Sequence, residues 1–180
     1  MELLLAATNL HLLRDIRSIL RSSHKNLDIL STSPFSCSEN VQSSTEDYAR
    51  LNSRKNQKWT LAVSAALVIP ELTSTPIIEV ESTKALALEI ASLQEEKRSA
   101  YLETYASLCS PNGELEESVR AFSEGRVAQE IKGSQGFGFD LLFIKEGYDK
   151  TLAQLSEEVK NKVSPLRKAL DKLATLFNHL

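Results

Sequence analysis

The 180-residue sequence is short of the features that mark several classes of protein. It contains 2 cysteines, too few for a disulfide framework, so we interpret Cys37 and Cys109 as reduced thiols. Its 3 histidines lack ligand spacing, which argues against a histidine-based metal site. No apolar run approaches the roughly 20 residues of a membrane helix, and residues 1–5 are too short and too acidic for a secretory signal. We therefore expect a cytoplasmic protein without a membrane partner.

The charge balance excludes a further class of partner. The formal net charge is −3, which gives no overall attraction to nucleic acid. A hydrophobic content of 42% with 25% charged residues is typical of a globular protein. The length suits a single domain with a sizeable core, so we predict one domain over residues 1–180.

The hydrophobic pattern predicts an α/β fold with a mixed sheet flanked by helices. Residues 3–7 read as a buried first strand, and Thr8 or Asn9 can cap the helix that follows. Further strands are predicted at 27–30, 59–70, 100–109, 115–122 and 127–131, and a helix at 82–97. Residues 31–44 read as a serine-rich loop.

The stretch from Gly133 to Leu170 carries the densest set of candidate functional residues. Glycines at 133, 136 and 138 bracket two aromatic side chains, and an acid follows before an apolar run predicted as a strand at 141–144. Phe137 and Phe139 could stack on a base, and Asp140 could accept a hydrogen bond from that base. Phenylalanines at a strand start can equally belong to the core. Lys160 is a candidate phosphate contact, and Ser164 followed by proline predicts the start of a helix.

Four segments resemble the inosine/xanthosine triphosphate pyrophosphatase family, the Ham1-like nucleotide-pool enzymes. They read LLLAATNLHLLRDIRSIL near the N-terminus and, later, GSQGFGFDLLF, EGYDKTLAQL and EEVKNKVSPLRKAL. The resemblance implies an elongated α/β sheet in two lobes with the nucleotide in a cleft between them. It also implies pyrophosphate release from purine nucleoside triphosphates, a magnesium cofactor and a homodimer.

Carried over by position, the family's nucleotide contacts fall partly on suitable residues. They fall on Thr8, Asn9, Phe137, Gly138, Phe139, Asp140, Lys160 and Ser164, whereas Arg167 lies one residue late for its position. The family's phosphate lysine falls on Leu12. Its Ser-His-Arg tripeptide becomes Ser164-Pro165-Leu166.

The family's metal-binding aspartates fall on Val63 and Ser64, within WTLAVSAALVIP. Valine cannot ligate magnesium, and serine is a weak, neutral ligand for a hard dication. Glu46 takes the position of a metal-binding glutamate, although it can also be read as a first-turn carboxylate favoured by the helix dipole. Magnesium binding in this chain is therefore doubtful.

Three hypotheses follow from this pattern. The first is a degenerate family member that binds a purine nucleotide but has lost most or all catalysis. The second is a working pyrophosphatase that uses rearranged groups, namely Glu46, Glu71 and Arg167. The third is a structural protein that pairs with an active paralogue in a heterodimer.

Overall fold

The computed structural model of this chain describes residues 2–24, 26–78 and 83–177. These residues fall into two compact units. Unit 1 comprises Met1–Ala65, Thr104–Ala121 and Leu166–Leu180, and unit 2 comprises Ala66–Glu103 and Phe122–Pro165. The prediction of a single domain stays a prediction.

The described residues form six strands and five α-helices. The strands are β1 (Glu2–Ala7), β2 (Asp28–Ser31), β3 (Trp59–Val68), β4 (Ser99–Cys109), β5 (Leu115–Val127) and β6 (Phe143–Lys145). The helices are α1 (Leu10–Ser23), α2 (Val41–Asn56), α3 (Thr83–Ala91), α4 (Glu157–Val163) and α5 (Pro165–Phe177).

The strands pair in the order β2-β1-β3-β4-β5-β6. Strand β1 runs parallel to both β2 and β3, and β5 runs antiparallel to β6. Helices α1 and α2 connect the parallel strands, because parallel neighbours need a crossover connection. The sheet is therefore mixed and flanked by helices, as the sequence predicted.

Unit 1 is built around β1 and the apolar face of α1. Strand β1 ends at Ala7, and Asn9 caps the helix, since its Oδ1 accepts the Leu12 N–H at 2.8 Å. The core of this unit draws on three separate stretches of chain. Its buried side chains are Leu3, Leu5, Ala7, Leu13, Ile16, Ile19, Leu20, Ile29, Leu61, Val63, Ala106, Leu108, Val119, Ala121, Leu166, Ala169, Leu170, Leu173 and Phe177.

Unit 2 has its own core, beneath α3 and the 3₁₀ turns. Its buried members are Leu67, Ile69, Leu86, Ala87, Ile90, Ala100, Leu102, Val127, Leu142, Phe143, Leu152 and Leu155. The side chains of Phe139, Val159 and Val163 pack against this core while staying partly exposed. The core therefore fixes both helix α4 and the loop at residues 133–142 to which Phe139 belongs.

Several predicted boundaries were wrong. Helix α2 begins at Val41, inside the predicted loop, because Asn40 caps it by accepting the Ser43 N–H at 3.1 Å. Glu46 therefore lies in the second turn of α2, and its interpretation as a first-turn carboxylate is wrong.

The predicted helix at 82–97 begins at Thr83 in the structure, residue 82 lying outside the described residues. It ends at Ala91, after which the Leu93 N–H bonds to the Ile90 carbonyl at 3.0 Å, a 3₁₀-type contact. A separate 3₁₀ turn follows at Glu95–Lys97.

Two of the predicted strands were also misplaced. Strand β5 runs unbroken to Val127, so residues 128–131 are not a separate strand. The strand predicted at 141–144 is β6, Phe143–Lys145, because Leu141 belongs to the 3₁₀ turn Gly138–Leu141.

Candidate functional site

The turn between β1 and α1 holds the first candidate residues in unit 1. Thr8 is 2% exposed, and its Oγ1 has no hydrogen-bond partner among the described residues. Asn9 uses its side-chain oxygen to cap α1. Buried hydroxyl groups normally have a partner, so an unpartnered one next to a helix N-terminus is suited to an anion that supplies the missing bond.

Ser64 is fully buried in β3 and lies in a line of neutral polar groups. Its Oγ is 2.7 Å from Thr45 Oγ1 and 3.1 Å from Cys37 Sγ. Thr45 Oγ1 also donates to the Val41 carbonyl at 2.6 Å. Because a hydroxyl has one proton, we assign Ser64 as the donor to Thr45 and Cys37 as the donor to Ser64. We call this line Cys37–Ser64–Thr45–Val41 the neutral chain.

The residues around Ser64 do not fit a magnesium ion. Magnesium prefers carboxylate oxygens, whereas the neutral chain offers two hydroxyl groups, a thiol and a carbonyl that already accepts a bond. Glu46 is directed to its own helix, where its Oε1 accepts a hydrogen bond from the Gln42 side-chain Nε2 at 3.0 Å. Over residues 2–24, 26–78 and 83–177, no three His, Cys, Asp or Glu side chains gather as a metal-binding group.

The glycine loop of unit 2, residues 133–142, carries the second group of candidates. Gly133 and Gly136 have φ angles of 92° and 128°, which L-residues rarely adopt. A Cβ at Gly133 would lie 2.4 Å from the Ala153 carbonyl carbon, so the loop can approach that residue only because it has a glycine there. At the tip of the loop, the Phe137 ring is 50% exposed.

Asp140 and Lys160 form an ion pair in unit 2. Lys160 Nζ lies 2.6 Å from Asp140 Oδ2, and the two side chains are only 11% and 17% exposed. The same Oδ2 accepts the Phe137 N–H at 3.2 Å. The structure thus brings Phe137, Asp140 and Lys160 together, and the sequence had not predicted that the acid and the lysine would pair with each other.

The remaining candidates have local partners. Ser164 ends α4, its N–H bonding to the Lys160 carbonyl at 2.9 Å, and Pro165 opens α5 as predicted. Arg167 Nε donates to Asp171 at 2.7 Å, one turn further along α5. Glu71, in unit 2, lies 3.7 Å from Lys97 in an exposed ion pair.

A cavity of about 350 Å³ in unit 2 lies away from these residues. Its walls come from the start of β4, the end of β5, and β6 with the turn after it, including Tyr101, Arg126 and Tyr148. None of the predicted site residues lines this cavity.

The sequence reading missed Cys37 and Thr45, which fix Ser64. Thr45 is buried in the second turn of α2, and Cys37 lies in the segment before that helix. Their polarity was visible in the sequence, but no spacing rule joins Cys37 to a serine 27 residues away.

The mixed sheet with flanking helices has the fold of solved Ham1 proteins. The HAM1 protein from Coxiella burnetii superposes with a TM-score of 0.77 at 22% identity, covering 100% of both chains. The Staphylococcus aureus Ham1 protein gives a TM-score of 0.78 at 22% identity, covering 99% of each.

Sequence comparison identifies the family. The Ham1 family model matches residues 3–176. The dITP/XTP pyrophosphatase of Protochlamydia amoebophila (strain UWE25) is 35% identical over 199 residues, covering 100% of this chain and 99% of the relative. The corresponding protein of Chlamydia abortus (strain DSM 27085 / S26/3) is 32% identical, with 100% and 96% covered. The chain belongs to the Ham1 family, which confirms the resemblance.

None of the helices that the structure describes combines the length and apolar character needed to cross a membrane.

Proposed function

We propose that this chain binds a purine nucleoside triphosphate and that its metal-dependent hydrolysis is lost or severely impaired. The neutral chain at Ser64 carries this proposal. At the position where the family resemblance places a metal-binding aspartate, a fully buried serine is hydrogen-bonded to Thr45 and Cys37. Releasing pyrophosphate from a triphosphate depends on neutralising charge and positioning a water molecule. A neutral serine already bonded on both sides supplies neither.

Two features support the retention of binding. In unit 2, the half-exposed Phe137 ring is held on an anchored loop and offers a stacking surface to a base. In unit 1, the unpartnered Thr8 Oγ1 beside the N-terminus of α1 suits a phosphate oxygen. Leu12 replaces the family's phosphate lysine, and losing one charged hydrogen bond costs roughly 1.5–3 kcal/mol. That is about one to two decades of affinity, so we expect weak binding.

An active dITP/XTP pyrophosphatase is the second candidate function. The full-length match at 35% identity to a relative of that description favours it. This candidate needs replacement groups, yet the three proposed from the sequence, Glu46, Glu71 and Arg167, each have a local partner. Homodimerisation and a cytoplasmic location stay predictions.

One assay separates the two candidates. Purified protein is incubated with inosine or xanthosine triphosphate and magnesium, and pyrophosphate release is followed. We expect release near the uncatalysed background and little change on magnesium titration. Robust magnesium-dependent release would contradict the proposal and establish the second candidate.

Binding is tested separately by thermal unfolding without magnesium. A nucleotide at 100 times its dissociation constant stabilises a fold by about 2.7 kcal/mol. We expect inosine triphosphate to raise the melting temperature. No shift at millimolar concentration would contradict the binding half of the proposal.

A further inference from the structure

The ion pair between Asp140 and Lys160 joins the glycine loop to helix α4. Both side chains are largely buried, and Nζ lies 2.6 Å from Oδ2. Lys160 lies in the second turn of α4, a seven-residue helix capped by Ser156. A charged group removed from water needs a partner, and each of these two charges supplies one to the other.

The carboxylate of Asp140 also organises the tip of the loop. Its Oδ2 accepts the Phe137 N–H at 3.2 Å, while the Asp140 N–H donates to the Phe137 carbonyl at 3.1 Å. A Cβ at position 136 would lie 2.5 Å from this Oδ2, so the loop closes over the carboxylate only because Gly136 has no side chain. Asp140 therefore bonds both backbone groups of Phe137, the N–H through its carboxylate and the carbonyl through its own N–H.

The base of the loop is fixed independently. The N–H groups of Ser134 and Gln135 both point to the Ala153 carbonyl, at 3.2 and 3.0 Å. Thr151, fully buried, donates its hydroxyl to the Lys132 carbonyl at 2.8 Å. With the base fixed in this way, the loop tip is the part whose position depends on Asp140.

We propose that Lys160 is a positioning residue. Its ammonium group holds the Asp140 carboxylate, which holds the Phe137 backbone, so the charge of Lys160 sets the geometry of the aromatic tip. This role differs from the phosphate contact that the sequence suggested for Lys160. Its consequence for a ligand rests on the proposed nucleotide binding, whereas its consequence for the loop does not.

The first test needs no ligand. Amide hydrogen exchange is measured by NMR on Lys160→Met, Asp140→Asn and the double variant. We expect the Phe137 amide to exchange about tenfold faster or more in each single variant, since a charged hydrogen bond is lost. The double variant should exchange no faster than the single variants, because both remove the same link, and Lys160→Arg should keep the protection. Unchanged exchange of the Phe137 amide in Lys160→Met would overturn the proposal.

Lys162→Met is the matched control. Lys162 lies two residues further along α4 and pairs with Glu158 at 2.7 Å, but both side chains are more than two-thirds exposed, at 71% and 78%. Exposed pairs of this kind contribute little, so this variant should leave the Phe137 amide unchanged. An equal acceleration in both methionine variants would mean that α4 as a whole had loosened, and would also overturn the proposal.

The second test uses inosine and inosine triphosphate as probes, without metal. If Lys160 is a positioning residue, Lys160→Met should raise the dissociation constants of both ligands by the same factor. A direct phosphate contact predicts that inosine is unaffected and that the triphosphate loses about tenfold or more, which would overturn the proposal. If the wild-type protein binds neither probe, the proposed function fails, and the exchange experiment still decides the role of Lys160.

Discussion

A single substitution in β3, Ser64→Asp, tests whether the neutral chain excludes a metal ion. The new carboxylate would be fully buried beside Thr45 and Cys37, neither of which carries a positive charge. Burying an unpaired charge costs several kcal/mol even after the protein relaxes. We therefore expect a much larger loss of stability than the roughly 1–3 kcal/mol expected when Ser64→Ala leaves a buried acceptor without its donor.

Ser64→Asn is the matched control for shape. Asparagine has nearly the volume of aspartate and no charge, so the difference between the two variants isolates the carboxylate. Urea unfolding is measured for both variants with and without magnesium. We expect the difference in unfolding free energy between the two variants to be the same with and without magnesium, because Glu46 is directed to Gln42 and the neutral chain offers no second carboxylate.

A gain in stability with magnesium that is confined to Ser64→Asp would contradict this prediction. If magnesium stabilised Ser64→Asp but not Ser64→Asn by more than about 1 kcal/mol, which is five- to sixfold in the folding equilibrium, the new carboxylate would be binding the ion. One substitution would then be enough to create a magnesium site, and the neutral chain would not be what excludes the ion.

Two further predictions concern single side chains. Burial raises the pKa of the Cys109 thiol from its ordinary value of 9.0 to about 11. Since the folded form holds its proton more tightly, stability from this group is complete below pH 9 and is lost as pH rises towards 11. The stability difference between wild type and Cys109→Ala should therefore shift by roughly 1.5–2 kcal/mol between pH 8.5 and 10.5 in urea unfolding, and a constant difference would contradict this. Phe137→Ala should weaken inosine triphosphate binding by about 1–3 kcal/mol, as stacking contacts do, in a metal-free titration. Phe122→Ala, with the same 50% exposure in unit 2, is the control, and equal effects of the two variants would contradict a stacking role for Phe137.

The elements that the sequence predicted best are those with strong local signals. The apolar run of β1, followed by a capping residue at Thr8 or Asn9, was sufficient to place the first strand and the start of the first helix. In the same way, Ser164-Pro165 marked the start of α5, because proline at the first helical position needs no hydrogen-bond partner.

The boundaries that failed depend on contacts between distant residues. Gly125 lies in the gap between the strands predicted at 115–122 and 127–131, and glycine weakens strands. In the structure β5 continues through Gly125 because it pairs with Lys145 of β6. The close approach of that strand requires a glycine, since a Cβ there would lie 2.2 Å from the Ile144 carbonyl oxygen. The pairing partner, and not the local propensity, decides this position.

The contacts of charged side chains in the candidate site also depend on residues that are distant in the sequence. The sequence predicted that Asp140 and Lys160 contact a ligand, and it did not predict their ion pair. Residue type alone cannot say whether a charge faces a ligand or a neighbour 20 positions away. The reading of Ser64 as a neutral replacement stays a prediction, and its partners Cys37 and Thr45 became visible only when the fold brought three segments together.

The way the core of unit 1 is assembled has a consequence for the order in which the protein is completed during synthesis. Unit 1 starts first, but its buried set includes Leu166, Ala169, Leu170, Leu173 and Phe177, all on α5. The buried core of unit 2 ends at Leu155. A nascent chain therefore has every residue of the second core before it has every residue of the first. Domains generally fold as units while the chain is being made. Unit 1 can therefore complete its core only after α5 has been synthesised, later than unit 2.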